Sequence, residues 1–297
     1  MAESILVTGA TGTLGSEVVK QLLSAKGKNV NVKAAARSVN DNTFESLNGV
    51  QVVQLDYNNP SMLARAFKDT DKLFLLTPAS PKAAELATNL VNEAKKAGIR
   101  HIVKQSVIGA DSVLDVAHLR LHRQAEKIVE ESGIPFTFLR PNDFMQNFVN
   151  FYNPTIKSKN AFYLPAEDAK VSFVDVRDIA AIAVKTLTED DDGNGSRHNG
   201  KAYNITGPEA LTCYQVAEIL SNATGKKISY VNISEEDTRL GMKDMGWDDW
   251  LINTILQLYD LYRKGYASQV TDAVESITGN KPISFAQFAM DHAEAFR

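Results

Sequence analysis

Apolar and polar positions alternate through the first half of the chain in a repeating order. "SILVTG" is a short β-branched run, and apolar residues then recur at helical spacing from about Ser16 to Ala25. "NVNVKAAARS" is a second apolar run; a polar segment separates it from a third, "VQVVQLDY". A helix near Pro60–Lys68 leads to "KLFLLTP", and one from about Lys82 to Ala97 leads to "HIVKQSV". Strand, helix, strand at this spacing predicts right-handed crossovers and a parallel sheet covered on both faces.

After "IPFTFLRP" the pattern loosens. Residues 147–170 contain Pro154, Pro165 and several aromatics, and they read as irregular. "VSFVDV" precedes a helix over Asp178–Leu187, the polar loop "TEDDDGNGSRHNGK" follows, and "AYNITGP" reads as a strand. The last hundred residues are mainly helical. The expected fold is α/β: a Rossmann-type doubly wound parallel sheet over 1–145, to which part of 170–207 returns, and a smaller, helix-rich C-terminal substrate lobe over 146–297.

Composition narrows the classes. At 297 residues and 44% hydrophobic content the chain can bury a large core. A net charge of −4 does not suggest a nucleic-acid partner. The single cysteine, Cys213, cannot form an internal disulfide, which fits a reducing compartment. No apolar run approaches the roughly 20 residues of a membrane span, and the N-terminus lacks the features of a signal peptide. A cytoplasmic protein is expected, and a monomer or a homodimer is equally compatible with the sequence.

The candidate chemistry starts in "ILVTGATGTLGSEVV", where Gly9, Gly12 and Gly15 stand between a strand and a helix. A helix N-terminus offers unpaired N–H groups and a positive dipole end to an anion. Side chains at these positions would keep a diphosphate away or push the helix off the sheet, which is why glycine is used. Thr11 and Thr13 add hydroxyls, and Leu14 faces the sheet within the same cofactor-binding turn. The second strand ends in "AAARS": Arg37 stands where NAD-binding proteins carry a carboxylate, and it suits the 2′-phosphate of NADPH in preference to NADH. A solvated surface arginine is the plainer reading. Asp56 and Tyr57, ending the third strand, are expected beside the adenine.

Together, "GATGTLG", "AAARS", "LDYNNPSMLARAF", "IPFTFLRPNDFMQNF" and "VSFVDVRDIAAIA" resemble the NmrA-like branch of the atypical short-chain dehydrogenases/reductases. Within it the likeness is to the triphenylmethane reductases and NADPH-dependent quinone oxidoreductases. The resemblance implies an NADPH-dependent reductase of conjugated small molecules. It also implies an alternative, a non-catalytic NADP(H)-sensing regulator of the NmrA type.

The wider superfamily uses Ser plus Tyr-x-x-x-Lys, with tyrosine giving the proton. Here the matching segment, "AHLRLHRQAEKIVEESGIPFTFL", places His118 at the tyrosine position and His122 at the lysine position. Glu126 lies one turn further on the same helix face. Without the tyrosine acid, an acceptor that delocalises or neutralises the arriving charge is favoured over a plain ketone, whose alkoxide needs a donor. This also argues against a nucleotide-sugar epimerase.

His122 is a candidate proton donor or ribose anchor, unless both histidines are merely surface residues. Ligands bind outside the carboxyl ends of parallel strands. On that basis Thr77, Pro78, Gln105 and Asn142 are expected at the cofactor, and Ser106, at the superfamily's serine position, is a candidate catalytic residue. Phe144, Phe148 and Tyr152 are expected to line a pocket for a flat substrate, the alternative being ordinary core packing.

Other features read plainly. "DDDGNG" lacks the glutamate of a calcium loop, so no metal is expected. Asp175 and Asp178 look like a helix-start device. Trp247, Trp250, Leu251, Ile255 and Leu258 form an apolar stripe suited to a core or a subunit contact.

Overall fold

The computed structural model describes residues 2–25, 30–38, 42–44, 47–189 and 196–297. The acidic loop "DDDGNG", residues 190–195, lies outside them.

The N-terminal part runs β1 (Glu3–Val7), α1 (Thr13–Ser24), β2 (Val30–Ala36), β3 (Val50–Gln54), α2 (Pro60–Phe67), β4 (Lys72–Leu75), α3 (Ala83–Ala97), β5 (His101–Gln105), α4 (Ala117–Glu131) and β6 (Phe136–Pro141). Next come α5 (Asn153–Lys159), β7 (Ala161–Leu164), β8 (Lys170–Val171), α6 (Val176–Thr188) and β9 (Lys201–Ile205). The remainder is β10 (Leu211–Thr212), α7 (Cys213–Thr224), β11 (Ser229–Asn232), α8 (Glu235–Asp244), α9 (Asp249–Arg263), α10 (Ala273–Thr278), α11 (Phe285–Asp291) and α12 (Ala293–Phe296).

Seven strands form one sheet in the order β3-β2-β1-β4-β5-β6-β9. The pairs from β3 through β6 are all parallel; Ile5, for example, faces Val32 on one side and Lys72 on the other. Ile5, Leu6, Leu73, Phe74 and Leu75 are fully buried, as a sheet covered on both faces requires. The order reverses between β1 and β4, and it is outside the carboxyl ends at such a reversal that doubly wound sheets hold ligands. Among the described residues no helix is long and apolar enough to cross a membrane.

By contacts the chain divides into two units. The first comprises Met1–Val113, Leu119–Arg140 and Ile179–Tyr203; the second comprises Leu114–His118, Pro141–Asp178 and Asn204–Arg297. The second unit has its own core, centred on Phe148. That ring meets Tyr152, Phe162, Phe173 and Phe285 edge-on at centroid distances of 5.2, 5.4, 5.5 and 5.1 Å, a favoured aromatic geometry. Two small sheets frame it: β7 pairs parallel with β11, and β8 antiparallel with β10.

Three local expectations change. Helix α1 begins at Thr13, not Ser16, because Gly12 serves as its N-cap and the glycine turn is itself the start of the helix. The stretch 147–170 is not irregular: it holds a π-turn at Phe148–Tyr152, then α5 and β7. β7 is ordered by pairing with β11, some seventy residues away, which local pattern does not reveal. In α9 the expected apolar stripe is only half-buried, while Ile252, Leu256 and Tyr259 on the adjoining face are buried.

Asp175 and Asp178 do work at a helix start. Asp175 Oδ1 accepts from the Arg177 N–H at 2.9 Å, and Asp178 Oδ2 accepts from the Ile283 N–H at 2.8 Å. Burial pushes the Asp178 carboxyl up to about 6 against that hydrogen bond.

Gly15 is where helix and turn come closest: a Cβ there would lie 2.2 Å from the Gly9 carbonyl oxygen. Backbone cannot swing aside as a side-chain tip can, so Gly15→Ala is expected to cost about 1–3 kcal/mol. Denaturant unfolding of the two proteins checks this, and equal midpoints would contradict it.

Candidate functional site

The first unit builds its candidate site from the glycine turn. Gly9 adopts φ +61°, a left-handed conformation open to glycine, and its carbonyl accepts from the Gly12 N–H at 3.0 Å. Ser16 N–H then bonds to the Gly12 carbonyl at 2.9 Å, launching α1. No acidic residue occupies the first turn of α1, so its positive end is available to an anion. Thr11, Gly12 and Thr13 are exposed around this end, while Leu14 and Gly15 are buried behind it.

Thr8 locks the turn to β4. Its buried hydroxyl accepts from the Leu76 N–H at 2.8 Å and reaches the Leu76 carbonyl at 3.0 Å. Leu76 also packs where a Gly9 side chain would be, so Thr77 and Pro78, both half-buried, leave β4 directly beside the turn.

Tyr57 reaches the same place from the end of β3. Its phenol lies against the Gly9 amide and the Thr8 hydroxyl, with Arg37 near enough to act on it. Burial pushes the Tyr57 hydroxyl up, and those three neighbours pull it part of the way back. Arg37 is exposed one residue beyond β2 and carries no carboxylate beside it in sequence. Asp56 is exposed, and its Oδ1 accepts from the Asn58 N–H at 2.9 Å, closing a tight turn. The structure therefore brings Gly9, Arg37 and Tyr57 together. These residues fit a dinucleotide: an uncovered helix N-terminus for the diphosphate, and a free-standing guanidinium at the end of β2.

The carboxyl ends of β5 and β6 hold a buried ion cluster. Glu126, fully buried on α4, receives Arg140 through two bonds of 2.8 Å, Arg123 at 3.1 Å and the Ser106 hydroxyl at 2.7 Å. Burial alone would raise the Glu126 carboxyl; Arg140, Ser106 and Lys104 outweigh it and hold the group below its ordinary range. Lys104 is fully buried, donates to the Gln105 carbonyl at 2.8 Å, and is pushed down to about 8 by burial despite Glu126. Arg140 also reaches Asp111 at 2.5 Å.

This cluster reassigns Ser106. Its hydroxyl is committed to Glu126, its N–H bonds to the Leu139 carbonyl at 2.6 Å, and none of its surface is exposed. Ser106 ties β5 to β6 and α4 instead of facing a substrate. Gln105 is half-buried beside it, with Nε2 donating to the Ser106 carbonyl at 2.6 Å. His122 is half-buried on α4, as is His118. Sequence reasoning singled out Glu126 but missed Lys104 and Arg140. The available signal was a cation near the end of each of two otherwise apolar strands.

In the second unit, Asn142 is buried and its Nδ2 donates to Ser172 Oγ at 2.7 Å and to the Ala267 carbonyl at 2.8 Å. Phe144 is half-buried and bridges to Val174. Phe148 is wholly taken up by the aromatic core, as the packing alternative anticipated. Tyr152 is half-buried, its hydroxyl 3.1 Å from that of Tyr259.

Comparison with known proteins places the chain in a family. The model of the NmrA-like family matches residues 1–280. An NAD(P)H azoreductase of Xenophilus azovorans is 38% identical over 292 residues, 98% of this chain and 99% of that protein. Among solved structures, the NADPH-dependent quinone oxidoreductase of Escherichia coli in complex with NADPH superposes with a TM-score of 0.83 at 27% identity, covering 97% of this chain and 98% of that one. The Citrobacter sp. triphenylmethane reductase complexed with NADP(H) gives 0.82 at 26% identity, covering 99% and 100%. With its parallel sheet, its glycine turn and a match along nearly its whole length, the chain belongs to the NmrA-like family.

Proposed function

We propose that the protein is an NADPH-dependent oxidoreductase that passes hydride directly to a quinone, a dye or another conjugated small molecule. The observation that carries this is the turn from Gly9 to Gly15, a backbone cradle at an acid-free helix start with Arg37 and Tyr57 beside it. Gly9, Thr11, Gly12, Thr13, Leu14 and Gly15 hold the diphosphate, and Tyr57 and Asp56 flank the adenine. Thr77, Pro78 and Gln105 complete the cofactor's contacts; Asn142, whose amide is held by Ser172 and Ala267, is not among them. The preference for NADPH over NADH rests on Arg37, which pairs with the 2′-phosphate and has no carboxylate next to it to repel that group.

The bound nicotinamide supplies hydride. The chain's own residues bind and orient it: His122, half-buried on α4, holds the nicotinamide ribose. Phe144 and Tyr152 offer flat surfaces to the acceptor, with Phe148 supporting them from the core. Relatives named for reducing azo compounds, quinones and triphenylmethane dyes support the acceptor class, since all three are conjugated and planar or nearly so. A metal-free reaction and a cytoplasmic location belong to the same reading.

Two measurements test it. Arg37→Ala is expected to weaken NADPH binding about tenfold or more, and far more than it weakens NADH; equal losses by calorimetry would overturn the phosphate role. NADPH oxidation with a panel of quinones and of azo and triphenylmethane dyes should show turnover of at least one. Tight NADPH binding with none would point to the NADP(H)-sensing alternative.

A further inference from the structure

The last residues of β5 are tied down by their own side chains. Pairing of β5 with β4 stops at Leu75↔Lys104, and pairing with β6 stops at Gln105↔Leu139. Beyond that point the Gln105 carbonyl accepts from the Lys104 ammonium at 2.8 Å, and the Ser106 carbonyl accepts from Gln105 Nε2 at 2.6 Å. Gln105 is therefore held through both its main chain and its side chain. A carbonyl accepts only from a donor, so the amide is fixed with its nitrogen toward Ser106. Its Oε1 makes no hydrogen bond among the described residues, although Gln105 is half-buried.

Charge balance does not account for Lys104. Glu126 already receives Arg140, Arg123 and the Ser106 hydroxyl. Among the described residues the Lys104 ammonium, wholly buried, makes its one hydrogen bond to Gln105 and no ion pair. A buried cation without a close counter-charge costs stability. Burial pushes Lys104 down to about 8, which still leaves it charged at neutral pH and a strong donor to the Gln105 carbonyl.

Strand order sets which part of a dinucleotide would meet Gln105. The glycine turn follows β1; Arg37 and Tyr57 follow β2 and β3 on one side of it, and β4 and β5 lie on the other. β5 is two strand spacings, about 10 Å, from β1. With the diphosphate at the turn and the adenosine half over β2 and β3, the nicotinamide half falls toward the ends of β4 and β5.

We propose that Gln105 Oε1 accepts an N–H of the nicotinamide carboxamide, and that Lys104 is the positioning residue that holds Gln105 for this contact. This rests on the cofactor reading above. A carboxamide held at one edge of the ring stops the ring turning about its bond to the ribose, and so fixes which face is offered to an acceptor.

Calorimetry on the whole protein with three nucleotides tests the contact. They are NADPH, its reduced 3-acetylpyridine analogue, in which a methyl group replaces the carboxamide NH2, and 2′-phospho-ADP-ribose, which lacks the ring. Gln105→Met keeps the length and removes the acceptor; it should weaken NADPH about tenfold and the other two less than about twofold. Lys104→Met leaves Glu126 its other partners and should fold, which the denaturant midpoint checks; it should weaken NADPH more than the analogue. Deuterium placed on one face of the NADPH ring, transferred selectively by the unaltered protein, should be transferred less selectively by both variants. Similar losses with all three nucleotides would make both residues mere supports of the strand end. Similar losses with NADPH and the analogue alone would put Gln105 on the ribose. Either result, or no loss in Gln105→Met, overturns the assignment. If the unaltered protein binds none of the three, the cofactor reading falls and takes this inference with it. If it binds NADPH but turns over no acceptor, the reductase reading falls, while the calorimetry still decides the carboxamide contact.

Discussion

The approach of α1 to the turn that precedes it governs the first unit. Gly15 lies where any Cβ would strike the Gly9 carbonyl, and Gly9 itself takes a left-handed conformation. These two facts are one constraint. The chain must reverse within a few residues of β1 and enter a helix whose first amides point out of the sheet edge, and a side chain on either glycine would hold the helix away. The result is a candidate anion site made almost wholly of backbone. A side-chain site depends on rotamers that must be ordered when a ligand arrives; this one is ordered by folding, because Thr8 bonds it to β4 and β1 is buried on both faces.

What could be read from the chain followed from how local each feature's cause is. The alternation of β-branched runs and helices is local, and the parallel sheet with its strand order through β6 agrees with it. Helix α1 started three residues early because the glycines, read as a loop before a helix, are its N-cap and first turn. β7 was illegible because four residues, Ala161–Leu164, become a strand only through Ser229–Asn232. In α9 apolar residues cover more than one face, so periodicity could not say which of two adjoining stripes the core would take.

The site divides in the same way. That Gly9, Arg37 and Tyr57 come near one another was legible because each follows a strand end in sequence, and strand ends converge in this topology. Ser106 was legible as a position but not as a partner. Its place after β5 matched the superfamily's serine, yet what its hydroxyl meets is decided by Glu126, twenty residues on, and by Arg140 from the next strand. Asn142 likewise stands at the expected strand end, while its amide is used by Ser172 and by Ala267, the latter 125 residues away. Distant partners decide whether a polar side chain is available for chemistry.

The ion cluster fixes the inner face of helix α4. Lys104 and Arg140 place two buried cations near the ends of β5 and β6, against the buried carboxylate of Glu126. Two cations and one anion out of water would be costly without close geometry. The forked pairing of Arg140 with both Glu126 oxygens supplies it, and exposed Asp111 takes up the remaining guanidinium edge. Such a cluster is rigid, because loosening any member leaves a buried charge unpaired. It therefore fixes the carboxyl ends of two strands and the inner face of α4 as one body. His122 is carried on that body but stays half-buried, one turn from Glu126 on the same helix face. One helix face thus spans two depths: its inner end, at Glu126, is buried in the cluster, and its outer end, at His122, is half-buried.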